Sequence, residues 1–245
     1  MNSETRRSPV PCITAEQMRE VDRVATEEYG LKLLQMMENA GRHLAHLARE
    51  QFLGGDPRGK SVLVICGTGG NGGGGLVAAR RLHGWGATVY VHTTKPPEAY
   101  TGVPAHQRSL LTPLDVSMSS GDADALPDAD LLQDAMIGYG LDGEPKNDMA
   151  ALIRQVIWHE APVLSLDVPS GLNATTGVPS KTTVHADATL TLALPKCGLD
   201  APAARPAVGD LFLADIGIPP SLYDRLDVVA DVTDLFGEQD LIQLS

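Results

Sequence analysis

A chain of 245 residues with 43% hydrophobic content is long enough to fill the core of one α/β sheet with helices on both faces. Its formal net charge of −12 excludes a surface built for nucleic acid or for an anionic membrane, both of which select basic patches. Cys12, Cys66 and Cys197 are too few and too far apart for a zinc or C-x-x-C motif, so they read as reduced and structural, in a cytoplasmic protein. No stretch approaches the ~18 apolar residues of a membrane span. Met1–Pro11 lacks the apolar core of a signal peptide and reads as a flexible tail, 1–11, ahead of a single domain over 12–245.

Thr14 and Gln17 have the spacing of a helix capping box, with Ile13 and Met18 placed as its hydrophobic staple. Met18, Val21 and Val24-Ala25 carry a helical period that Gly30 ends. Leu34, Met37, Gly41, Leu44 and Ala48 predict a second helix running toward Gly54-Gly55, to pack on a sheet or a partner. The apolar run Val62–Ile65 then predicts a strand. It enters Cys66-Gly67-Thr68-Gly69-Gly70-Asn71-Gly72-Gly73-Gly74-Gly75 and leaves through the helix-like stretch Leu76–Leu82. Lacking Cβ atoms, these glycines are expected to take positive φ and press N–H groups against a ligand, with the following helix aiming its dipole there. The loop suits an anion, a phosphate above all.

Gly67, Gly69 and Gly72 satisfy G-x-G-x-x-G, but the predicted second strand, Ala87–His92, runs out into Thr93-Thr94-Lys95-Pro96. A lysine stands where a nicotinamide dehydrogenase places its ribose-binding acid, and no Gly-Lys-Ser/Thr follows the glycines for a Walker loop. Beyond it, prolines 96, 97, 104 and 113 interrupt a helix near Ala105–Leu111, and Gly121–Asp130 is an acidic loop. Leu131–Ile137, Val163–Leu166, Ala188–Leu194, Asp210–Ala214 and Val228–Val232 predict strands, with a helix around Asp148–Trp158. This alternation predicts a three-layer α/β/α Rossmann-like sandwich with a central, mostly parallel sheet, preceded by two N-terminal helices. Ligands of such sheets bind outside the carboxyl ends of the strands, where Asn71, Lys95, Asp134 and Asp167 all fall. Carboxylates in apolar runs are costly unless paired or coordinated, and a cation reconciles them with an anion-binding loop.

The ordered set Met37-Glu38-Asn39-Ala40-Gly41, Cys66 to Gly75, Asp134-Ala135 with Gly138, Asp167-Val168-Pro169-Ser170-Gly171-Leu172-Asn173, and Pro195-Lys196-Cys197-Gly198-Leu199 resembles the NAD(P)H-hydrate epimerase family, over roughly Cys12 to Pro219. The resemblance implies a potassium-dependent isomerase, commonly dimeric, that interconverts the R and S hydrates of NADH and NADPH beside a separate or fused dehydratase. It implies a potassium site of Asn71, Asp134 and Ser170. Substrate contacts fall to Gly70, Asn71, Gly72, Gly73, Gly74, Gly138, Tyr139, Gly140, Leu141, Asp142 and Asp167, and catalysis to Asp167 with Lys95 as helper. Lys196 takes no role and reads as a surface loop lysine, and Cys66 as a small buried filler. The chain departs from the family's Asn-Gly-Gly-Asp-Gly at Gly74 and from its Ser-Gly-Leu-Asp at Asn173. The acid missing at Gly74 supports an alternative, a non-catalytic nucleotide-binding or scaffold relative of the same fold.

Overall fold

The apolar run at Val62–Ile65 becomes the centre of the sheet. A computed structural model describes residues 10–121, 125–226 and 232–245. Within them the strands are β1 (Ser61–Cys66), β2 (Thr88–Thr93), β3 (Ser117–Ser120), β4 (Leu131–Ala135), β5 (Val163–Leu166), β6 (Ala188–Leu192), β7 (Asp210–Ala214) and β8 (Leu241–Gln243). They lie side by side in the order β3-β2-β1-β4-β5-β6-β7-β8. Every neighbouring pair is parallel except β7 with β8. β4 and β5 are buried at every position and β1 at all but its first, as continuous apolar strands covered on both faces should be. From β1 the chain builds outward to β3 on one side, then crosses back to start β4 on the other. That reversal is a topological switch point, and its carboxyl edge is where open α/β sheets form a ligand crevice.

Two layers of helix cover the sheet, and a further helix walls its edge. On one face α2 (Leu33–Leu47), α3 (Gly70–Gly84) and α4 (Gly102–Ser109) lie over Val62, Val64, Val89 and Val91. Leu44, Leu76 and Leu82 are at most 1% exposed there, and burying each contributes about 1.5–3 kcal/mol. On the other face α5 (Asn147–Ile157) sets Leu152, Ile153 and Val156 against Leu63, Ile65 and Leu132. The first helix, α1 (Ala15–Glu27), packs Met18, Val21 and Ala25 against Met36 and Ala40 of α2 and against Leu194 and Ile216. Its capping box forms as the spacing predicts. The Gln17 N–H donates to Thr14 Oγ1 at 3.2 Å and the Thr14 N–H to Gln17 Oε1 at 2.8 Å.

The glycine run differs from its expected form. α3 begins at Gly70, so Asn71 to Gly75 make its first turns and the loop proper ends at Gly69. None of Gly67 to Gly75 has positive φ. The glycines serve close approach instead. A Cβ on Gly73 would strike Met37 Sδ, and one on Gly75 would sit 2.6 Å from the Cβ of Ala135. Their absence draws the start of α3 onto the sheet and onto α2.

Two strands lacked a signal in the sequence. β3 is polar, Ser117-Met118-Ser119-Ser120, and lies at the sheet edge, where His92 shares a 2.9 Å hydrogen bond with Ser119 Oγ and another with the Gly121 carbonyl. β8 has only three residues. The strand expected at Val228–Val232 falls almost wholly outside the described residues, as do residues 1–9 of the expected tail.

The cysteine reading needs correction. Cys12 and Cys197 form a disulfide with Cα atoms 4.8 Å apart, across 185 residues of sequence. Backbone pairing brings them together, for the Ile13 N–H donates to Pro195 O at 2.9 Å and the Cys197 N–H to Ile13 O at 3.0 Å. Cys66 is free and buried, and burial pushes its thiol well above the usual range, so it is a neutral filler as expected. Among the described residues no helix is long and apolar enough to cross a membrane.

Candidate active site

A cavity of about 490 Å3 opens at the carboxyl edge of β1, β4, β5 and β6. α1 supplies Met18, Arg19 and Asp22 to its wall, and α2 supplies Leu33, Met36, Met37 and Ala40. Gly69, Gly70 and Asn71 at the start of α3, Met136 to Gly140 after β4, and Leu166 at the end of β5 with Asp167 beyond it form its floor, closed by Leu192, Lys196 and Ile216.

Asp167 sits at the end of β5 with φ of 68°, in the left-handed region that few non-glycine residues occupy. Its backbone N–H donates to Leu190 O at 2.7 Å, which holds the turn and aims the carboxylate into the cavity. Asp167 Oδ2 accepts the Tyr139 N–H at 2.8 Å, and Oδ1 is ion-paired with Lys196 Nζ. The side chain of Lys196 is fully buried and that of Asp167 is 5% exposed. The same ammonium donates to Leu192 O at 2.8 Å and stands 5.9 Å from the centre of the Tyr139 ring. Lys196 is therefore no surface lysine. It follows β6, another parallel strand, so the strand-end rule applied to Pro-Lys-Cys-Gly-Leu would have found it.

Tyr139 also reaches the opposite wall, where its hydroxyl donates to Asp22 Oδ2 at 2.6 Å. Burial holds the Asp22 carboxyl above its ordinary range, opposed by the Tyr139 hydrogen bond and the charge of Lys196. Burial and the nearby Asp22 push the Tyr139 hydroxyl far upward, so it stays protonated and donates. The signal for Asp22 was faint: it lies one helical turn from Met18, an acid on the apolar face of α1.

Behind the floor Asp134 is fully buried. Its oxygens accept from Ser170 Oγ at 2.6 Å, Ser170 N at 2.8 Å, Ser165 Oγ at 2.9 Å and Met136 N at 3.2 Å. Burial raises its carboxyl, and these hydrogen bonds pull the other way. Ser170 Oγ in turn accepts the Ile137 N–H at 2.9 Å. Both amide atoms of Asn71 are buried without a hydrogen-bond partner among the described residues. Gly138 lies close enough to join the two groups, since a Cβ there would stand 2.7 Å from Asp167 Oδ2 and 3.2 Å from Asn71 Oδ1.

The cavity thus gathers Gly70, Asn71, Gly138, Tyr139, Gly140 and Asp167, with Asp134 and Ser170 beneath. Other expected positions lie elsewhere. Lys95 does not line it and is exposed, paired with Asp148 at 3.2 Å. Gly72, Gly73 and Gly74 are turned into the packing of α3, and a Cβ on Gly74 would meet Leu166 Cδ2 at 2.8 Å. Leu141 and Asp142 fall just past the lining segment.

A mostly parallel sheet with helices on both faces and a crevice at its switch point defines a Rossmann-like fold of the kind that binds small molecules there. The family described as YjeF-related protein N-terminus matches residues 33–198. The NAD(P)H-hydrate epimerase of Dehalogenimonas lykanthroporepellens is 43% identical over 213 residues, 87% of this chain and 84% of that protein. The NAD(P)H-hydrate epimerase of Rhodopirellula baltica is 31% identical, with 89% of each chain covered. The bifunctional NAD(P)H-hydrate repair enzyme Nnr of Salinibacter ruber is 37% identical over 88% of this chain but only 42% of its own length. The crystal structure of yeast ynu0 has the same fold, with a TM-score of 0.82 at 23% identity over 97% of this chain and 100% of that one. The chain belongs to the YjeF-related N-terminal family.

Proposed function

We propose that this protein is an NAD(P)H-hydrate epimerase, an isomerase that interconverts the R and S hydrates of NADH and NADPH in one domain over 12–245. The observation that carries the reading is the buried Asp167–Lys196 pair facing the cavity at the switch point. The substrate's reduced nicotinamide ring bears a hydroxyl on C6, next to N1. As the C6–O bond breaks, the N1 lone pair forms C6=N1, and a proton on the hydroxyl lets it leave as water. Water adding to the other face of C6 returns that proton and gives the epimer. The Asp167–Lys196 pair holds one exchangeable proton for this cycle, with Lys196 in the helper's place that Lys95 does not occupy. Gly138, Gly140 and the start of α3 offer backbone N–H groups and a positive helix end to the anionic part of a dinucleotide, while the Tyr139 N–H stays on Asp167.

Asn71, Asp134 and Ser170 fit a hard cation. Among the described residues the Asn71 oxygen has no partner and the buried Asp134 carboxylate meets only neutral donors, whereas buried charges are ordinarily paired or metal-bound. We propose potassium there, supplying positive charge beside an anionic ligand when bound. The functional partner we propose is an NAD(P)H-hydrate dehydratase, and the assembly a homodimer, which ultracentrifugation checks. Reduced nicotinamide dinucleotides are cytoplasmic metabolites, and this, rather than the state of the cysteines, is our ground for a cytoplasmic setting. Gly74 favoured the scaffold alternative, yet it is enclosed between Leu166 and Ala40 and lines no part of the cavity, which weakens that argument. Incubation with purified S and R hydrates near neutral pH, with potassium or with sodium, tests the function. Equilibration in potassium supports it, and no change in the ratio of the two hydrates in either salt overturns it.

A further inference from the structure

The epimerisation passes through a ring that carries positive charge, so the cavity needs negative charge that nothing else cancels. Asp167 does not supply it before the proton moves, because Lys196 neutralises it. Asp22 is different. It lines the same cavity from α1, and among the described residues it forms no ion pair and its carboxylate accepts only the neutral Tyr139 hydroxyl. With Lys196 and Asp167 cancelling and Arg19 held out at the exposed rim, Asp22 is the lining carboxylate that no cation pairs with among the described residues. We propose that Asp22 is a catalytic residue that stabilises the cationic nicotinamide ring by its charge, with Tyr139 holding its carboxylate in place. The inference rests on the epimerase reading. A fixed charge aimed at developing opposite charge in a water-poor cleft is among the strongest catalytic devices, and removal of one such group commonly lowers kcat by about 10²–10³-fold. Arg19, on the same helix, is exposed at the rim and forms no ion pair with Asp22 among the described residues.

Asp22→Asn keeps the shape and an acceptor for Tyr139 while removing the charge. Its kcat on the hydrates, whose ring is neutral, should fall about 10²-fold with KM changed less than about threefold. A second readout needs no turnover. NAD+ and NADH differ at the nicotinamide ring, which is cationic in the first and neutral in the second. Asp22→Asn should weaken NAD+ about tenfold and NADH less than about twofold, a selective loss of one charge interaction. Tyr139→Phe, which keeps the carboxylate, should shift the NAD+/NADH affinity ratio far less. If Asp22→Asn binds both dinucleotides with the wild-type ratio, or weakens both equally, Asp22 is structural and this inference alone falls. If the wild type binds neither dinucleotide and leaves both hydrates unchanged, the epimerase reading falls and this inference with it.

Discussion

Two lysines follow parallel strands of the same sheet, Lys95 after β2 and Lys196 after β6, and they have opposite fates. Lys95 is half in solvent, paired with an equally exposed Asp148. Lys196 is sealed against Asp167 under the wall that α1 provides. β2 is flanked by the polar edge strand β3, and no described residue of either strand lines the cavity. β6 lies beside β5, which leads straight into Asp167, and its following segment is pinned to the start of α1 by backbone pairing and a disulfide. A strand-end position therefore makes a polar residue available. A second layer of chain above it decides whether that residue meets water or substrate.

The comparison can be broken first at Asp167. Asp167→Asn removes the charge and the basic oxygen from the β6 side, and epimerisation near neutral pH should fall about 10²–10⁴-fold, the range of general acid–base catalysis. Asp148→Asn, its counterpart on the β2 side, should leave the rate within about twofold, and equal losses would erase the distinction. Lys196→Met tests burial directly. It strands a buried carboxylate and should lower unfolding stability in urea by about 3–5 kcal/mol, whereas Lys95→Met should cost less than about 1 kcal/mol. The pinning of the β6 side is sharpened by Cys12→Ser, which should lower stability by about 2–5 kcal/mol under non-reducing conditions and by nothing further with dithiothreitol present. An unchanged melting temperature on reduction of the wild type would show that the backbone pairing alone holds α1 to the Lys196 segment.

Much of the frame was legible because its signals are local. β5 and β7 occupy the predicted residues, and the capping box of α1 forms from two side chains three positions apart. Asp167, Asn71 and Asp134 were visible as polar residues ending apolar runs. What stayed hidden depends on distance along the chain. Lys196 is polar and flexible in isolation, and only Asp167, from another strand, makes it a buried partner. Asp22 faces the cavity only because α1 turns back over the sheet edge, and the Cys12–Cys197 pairing spans 185 residues. The glycine run misled in one respect. Its composition announced a close approach of backbone to something, but the partners of Gly73 and Gly75 are Met37 and Ala135 rather than a ligand.

The bond between Cys12 and Cys197 also changes the topology of the molecule. Residues 12 to 197 become a covalent ring, with β7 and β8 carried on the strand of chain that leaves it. A single protease cut anywhere within the ring opens it to a line without releasing a fragment, so a nicked molecule runs as one band without reductant and as two with it. Because the ring closes between α1 and the Lys196 segment, a chain severed in any surface loop still keeps the two banks of the cavity on one covalent thread.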